Sequence, residues 1–146
     1  MLVSDLYDID IASLGKFRAV KYRMDADLVN ELAEIWFVLD GGVIGVSCDP
    51  DDASVVVEWV QGQPELAAGG VRIPSIESMA EESLGGRIGW MWAMVNQQGY
   101  WDGIQIEVVR EERENLYWQI VITNTTLSLF RVEQQSLGTG AGSSSP

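Results

Sequence analysis

Apolar and polar residues alternate with a period of two over most of this chain, the mark of half-buried β-strands. Leu116, Trp118, Ile120 and Ile122 alternate with Tyr117, Gln119, Val121 and Thr123. Thr125 to Glu133 repeats the pattern, with Leu127, Leu129 and Arg131 on one face and Ser128, Phe130 and Val132 on the other. Further strands are predicted over 16–24, about 33–39, 43–48 and 54–60, with Asp40-Gly41-Gly42 as a tight hairpin signal between the second and third. Residues 33–60 are therefore expected as an antiparallel meander. Two stretches also fit helical spacing. Leu28, Leu32, Ile35, Trp36 and Leu39 follow it behind an Asp27 N-cap, and the expectation is a helical turn at 27–31 before the strand. Near the start, Leu6, Ile9 and Leu14 allow a short helix, while Tyr7, Ile9 and Ile11 alternate as a strand. Ser75 to Leu84 reads as a helix capped by Ser75 and stopped by Gly85-Gly86, after a Gly- and Pro-rich loop at 61–74. The sum is an antiparallel β-sheet-dominated α+β domain of seven or eight strands and one or two short helices. It is expected over residues 1–137, followed by a flexible Gly/Ser-rich tail at 138–146.

The stretch Arg87–Arg110 is the densest in unusual residues. Strict alternation puts Ile88, Trp90, Trp92, Met94 and Asn96 on one face, and Gly89, Met91, Ala93, Val95 and Gln97 on the other. A Trp-x-Trp pair on one strand face reads first as core, and second as a ligand-stacking surface. Asn96-Gln97-Gln98 then supplies three consecutive carboxamides ahead of Gly99-Tyr100-Trp101-Asp102-Gly103. Two hairpin registers fit: one turns at Gln98-Gly99, and the other turns at Asp102-Gly103 with Tyr100 and Trp101 near the tip. Aromatics beside adaptable amides are what binding surfaces use. The candidate ligand- or partner-binding residues are accordingly Trp90, Trp92, Asn96, Gln97, Gln98, Tyr100, Trp101 and Asp102.

Composition narrows the chemistry. With 146 residues the chain buries enough surface to need no disulfide or metal. Twenty-two acids against nine bases leave a formal charge of −13, which attracts cationic partners and disfavours nucleic acid and anionic membranes. No histidine is present, so Ser-His-Asp and Cys-His catalysis and His-ligated zinc are excluded. The single Cys48 reads as a small apolar side chain and fits a reducing compartment. No apolar run reaches the ~18 residues of a membrane helix, and the first residues lack the basic region of a signal peptide. A cytoplasmic protein is expected.

Four of the nine bases, Lys16, Arg18, Lys21 and Arg23, precede a stretch from Met24 to Val71 that has ten acids and no base. Pairing of this basic strand with the acids across a sheet is the expected use of that charge. Alternation would put Lys16 and Arg18 on one face and Lys21 and Arg23 on the other. Asp49-Pro50-Asp51-Asp52 lacks the glycine and distal glutamate of a calcium loop and reads as a solvated turn. Glu81-Glu82 and Glu111-Glu112 are neighbours in sequence only. No metal site, cofactor or catalytic set is expected.

Trp90-x-Trp92 followed by Asn96-Gln97-Gln98-Gly99-Tyr100-x-Asp102-Gly103, downstream of the Asp49–Asp52 loop, resembles a small bacterial domain family of unknown function. The resemblance covers roughly residues 16–130 and implies a single intact domain. It implies no activity. The function expected from the residues is an acidic cytosolic interaction module, in its sharpest form a toxin-neutralising immunity protein, capturing a basic partner. The alternative is a small-ligand binder, or a carboxylate-based enzyme using Asp102 and Glu107, with its site near residues 90–107.

Overall fold

Tight hairpins generate most of the architecture. The computed structural model describes residues 10–24, 32–49, 51, 54–60, 73–95, 97, 101–123 and 126–132. Within these, strands β1 (Phe17–Met24), β2 (Leu32–Leu39), β3 (Gly42–Asp49) and β4 (Ser54–Val60) form one antiparallel meander. Helix α1 (Pro74–Ser83) leads to a second meander of β5 (Arg87–Val95), β6 (Trp101–Val109), β7 (Leu116–Thr123) and β8 (Thr126–Val132). The meanders are joined where Leu32 of β2 pairs with Leu127 of β8, and again where Lys16 bridges to Arg87. The result is a half-closed barrel of eight strands, the antiparallel α+β class that the alternation predicts.

One core fills the space between the meanders. Phe37 of β2 meets Phe17 and Trp118 edge to face, with ring centroids 6.0 and 5.1 Å apart. Ile35, Ile44, Val57, Ile104, Ile106 and Ile120 are fully enclosed around them. Helix α1 adds Ile76, Met79 and Ser83, whose spacing puts them on one face. The helix opens with Pro74 in its first turn behind Ile73, without a side-chain cap; Ser75 is exposed and inside the helix rather than at its cap. Proline suits that position because its fixed φ is already helical and a first-turn N–H has no acceptor within the helix, so no helical hydrogen bond is lost. Gly85, at φ +80, ends the helix as expected.

The Asp40-Gly41 turn connects β2 to β3 and also fastens the chain entering β1. The Asp40 carboxylate accepts hydrogen bonds from the Lys16 backbone N–H at 2.9 Å and from Arg18 Nε. The basic strand does pair with acids of its neighbour, since Arg23 reaches Glu34 at 3.3 Å alongside the Arg18–Asp40 pair. Its face assignment needs correction. A register shift between Phe17 and Ala19 interrupts the alternation, and Arg18, Lys21 and Arg23 are all exposed.

Cys48 is half-buried against the core, with its thiol directed at the Asp49 carbonyl. Near the start, a 3-10 turn at Ile11–Ser13 stands within the stretch read as either helix or strand; residues 1–9 lie outside the described set. The predicted helical turn at 27–31, most of the 61–74 loop and the tail at 138–146 also lie outside it. No described helix is long and apolar enough to cross a membrane.

Candidate functional site

The second meander has an inner face in the core and an outer face whose polar and aromatic residues line up across strands. Registers place Trp90 opposite Glu107, and Glu107 opposite Tyr117. One step along, Trp92 faces Gln105, Gln105 faces Gln119, and Gln119 faces Phe130. Directly paired residues share a face, so these two rows form one surface. Trp90 is 54% exposed, Trp92 39% and Phe130 51%. The two indoles stand 6.4 Å apart, tilted by 54°.

Trp90 and Trp92 are therefore surface residues, which overturns their reading as core. The reason is a β-bulge. Ile88 pairs with Val108 but Trp90 pairs with Glu107, so Gly89 is an extra residue on β5 with no counterpart on β6. Alternation counted through Gly89 puts Ile88 and both tryptophans on one face. With the bulge, Ile88 and Met91 point into the core and the tryptophans point out. Glycine leaves room at that position: a Cβ there would overlap the Glu107 carboxylate and lie 2.6 Å from Val109 Cγ2, so those side chains would have to shift. An isolated glycine inside a strand pattern was the available signal.

Hydrogen bonds hold the polar side chains of this face in place. Glu107 Oε2 accepts from the Tyr117 hydroxyl at 3.0 Å and from Asn115 Nδ2 at 3.2 Å. Burial, and then the hydrogen bond to the Glu107 carboxylate, raise the Tyr117 phenol above its ordinary value of 10.0, so it stays a donor at neutral pH. Met94 lies over Gly103, where a Cβ would come within 3.1 Å of its sulfur, and Gln119 Nε2 reaches that sulfur at 3.6 Å. Gln105, Asn115, Tyr117 and Gln119 were absent from the sequence-derived site, because their place in it depends on strand register.

The other candidates divide as follows. The β5–β6 connection falls between Val95 and Trp101, so the hairpin turns ahead of Asp102-Gly103. A second register shift there leaves half-buried Asp102 as a bulge in β6, and Gly103 is an ordinary strand residue opposite Met94 and Val121. Gln97 is an exposed turn residue. Trp101 pairs through its backbone with Val95, and its side chain lies outside the described set, as do Asn96, Gln98 and Tyr100.

Elsewhere, a cleft of about 220 Å³ opens between β2, β8 and the first turn of α1, lined by Leu32, Ile73, Ile76, Leu127 and Leu129 among others. Among the described residues, its lining carries no ionisable side chain. The Asp49 carboxylate accepts the Asp51 N–H at 2.9 Å, which is turn chemistry. Among the described residues, no group of three or more carboxylate or thiol side chains converges to hold a metal ion.

The chain belongs to a family of unknown function, DUF6334, whose model matches residues 2–136. No curated protein and no solved structure matches it.

Proposed function

We propose that this domain is an interaction module that captures a basic partner segment on the outer face of β5–β8. One observation carries the reading: two exposed tryptophans stand side by side, with the Glu107 carboxylate directly across the strand from Trp90. A lysine or arginine laid over an indole gains roughly 0.5–1 kcal/mol at an exposed site and about 2 kcal/mol when water is excluded. Glu107, Gln105 and Gln119 supply acceptors beside the rings. The formal charge of −13 supports the same direction, because an acidic surface speeds the approach of a cationic partner. Neutralising a basic toxin is one form such a module takes, and a single thiol fits work in the cytoplasm.

The test is titration of the full chain with a lysine- and arginine-rich peptide, followed through the indole N–H signals of assigned tryptophans. Trp90 and Trp92 are expected to shift while buried Trp118 does not. Association should slow as salt rises, and Trp90→Ala should weaken binding about tenfold, the equivalent of ~1.4 kcal/mol. A salt-independent response, or shifts confined to other tryptophans, would sink the reading. The small-ligand alternative draws on the same indoles with the Gln105 and Gln119 amides. It predicts that a neutral planar or sugar-like ligand moves these signals where the basic peptide does not.

A further inference from the structure

At the C-terminal end of α1, three arginines from two separate segments converge on one carboxylate. Arg131 Nη1 of β8 lies 2.6 Å from Glu82 Oε2, while Arg110 Nη1 and Arg113 Nη2, from the β6–β7 connection, lie 3.8 and 3.9 Å from Glu82 Oε1. We propose that Arg113 and Arg131, backed by the buried Arg110, form an oxyanion site that takes a phosphate dianion, free or carried as a small phosphate monoester.

Local charge supports this assignment. Three guanidiniums converge on one carboxylate, with Glu114 acting on Arg110 as a second acid, in a chain whose formal charge is −13. The exposed Glu111, Glu112 and Glu114 side chains make no ion pair with these arginines among the described residues. Phosphate suits the exposed guanidinium fork, which matches oxyanion oxygens in pairs.

The structural work of the cluster leaves donors over. Glu82 sits in the last turn of α1, where the helix dipole disfavours an acid and the helix itself supplies no base. Arg110 answers that need. Its side chain is only 8% exposed, reaches the Glu82 carbonyl at 3.5 Å and donates from Nε to the Glu114 carbonyl at 2.9 Å. Burial, and then neighbouring Arg113, work against its charge and lower its pKa, with Glu82 opposing them. Arg131 pins the Glu82 side chain. Arg113 is 57% exposed, and its contact with Glu82 at 3.9 Å is too long for a hydrogen bond. Its fork therefore faces solvent beside two other cations, and an anion between Arg113 and Arg131 would relieve their mutual repulsion.

The experiment is a titration of the full chain with inorganic phosphate at constant ionic strength, read from arginine Nε–H signals, with chloride as the control. Saturable shifts at Arg113 and Arg131 with phosphate, absent with chloride, are expected. Arg113→Gln should weaken phosphate binding about tenfold, the loss of one charge-assisted contact. Because Arg113 is exposed, that variant should keep the parent fold, and Arg131→Gln gives a second, independent loss. Equal responses to phosphate and chloride, or phosphate affinity unchanged in both variants, would overturn the site. Glycerol phosphate as a second titrant separates the sources: tighter binding than inorganic phosphate supports a monoester ligand, and equal binding supports the free anion.

Discussion

Trp118 donates its indole N–H to the Ser83 hydroxyl at 2.9 Å, joining the centre of β7 to the last turn of α1 inside the core. Ser83 in turn donates to the Met79 carbonyl at 2.8 Å, and neither Ser83 nor Trp118 is exposed. A buried donor without a partner costs about 1–3 kcal/mol. Ser83→Ala should lose that much stability in urea unfolding. In a Trp118→Phe background, where no indole N–H is left to satisfy, the same substitution should lose clearly less.

The outward position of the paired tryptophans predicts a separation between stability and binding. Trp90→Ala and Trp92→Ala should each change unfolding free energy by no more than about 0.5 kcal/mol. Trp118→Ala should lose about 3–5 kcal/mol. Denaturant titration of the three variants checks this, and comparable losses at all three would return Trp90 and Trp92 to the core.

Gly89→Ala tests the bulge. The added Cβ must displace the Glu107 carboxylate from Tyr117 and Asn115 and press on Val109, a strain of about 1–3 kcal/mol. Combining it with Glu107→Ala should recover part of that loss, because one of the two obstructing groups is gone. Strict additivity of the two variants in a double-mutant cycle would contradict the contact.

Asp40 predicts a pH dependence. The Lys16 backbone N–H, followed by the Arg18 side chain, holds its carboxyl below the ordinary value of 3.8. A carboxylate depressed on folding stabilises the native state above its unfolded pKa, and that contribution disappears as pH falls through the lower folded value. The stability gap between the parent chain and Asp40→Asn should therefore be full near neutrality and close below about pH 4. A gap that stayed constant down to pH 2 would show that Asp40 titrates normally.

Most elements were legible because their signals are local. Alternation at 116–123 and 126–132, Asp40-Gly41 between two apolar runs, and Gly85 behind a periodic helix each specify an element from neighbours in sequence. The predicted strand edges consequently fall close to the observed ones, as at Ser54–Val60. The candidate site was legible only in part. Alternation joins Trp90 and Trp92 to Ile88 on one face, which the bulge at Gly89 separates, and Asp102-Gly103 carries a turn signal although it sits in a strand.

What the sequence by itself determined is the β-rich α+β class, the order of the elements, and a strongly acidic chain without histidine chemistry. Those follow from short-range periodicity and from composition. Only the tertiary structure decided where side chains meet. The face presented by Trp90 depends on how Gly89 pairs against β6, and Glu107 reaches Tyr117 only through the β6–β7 register. Glu82 meets Arg131 across 49 residues of chain. A one-residue bulge reverses every side chain beyond it, and a cluster drawn from separate strands exists only once those strands have packed.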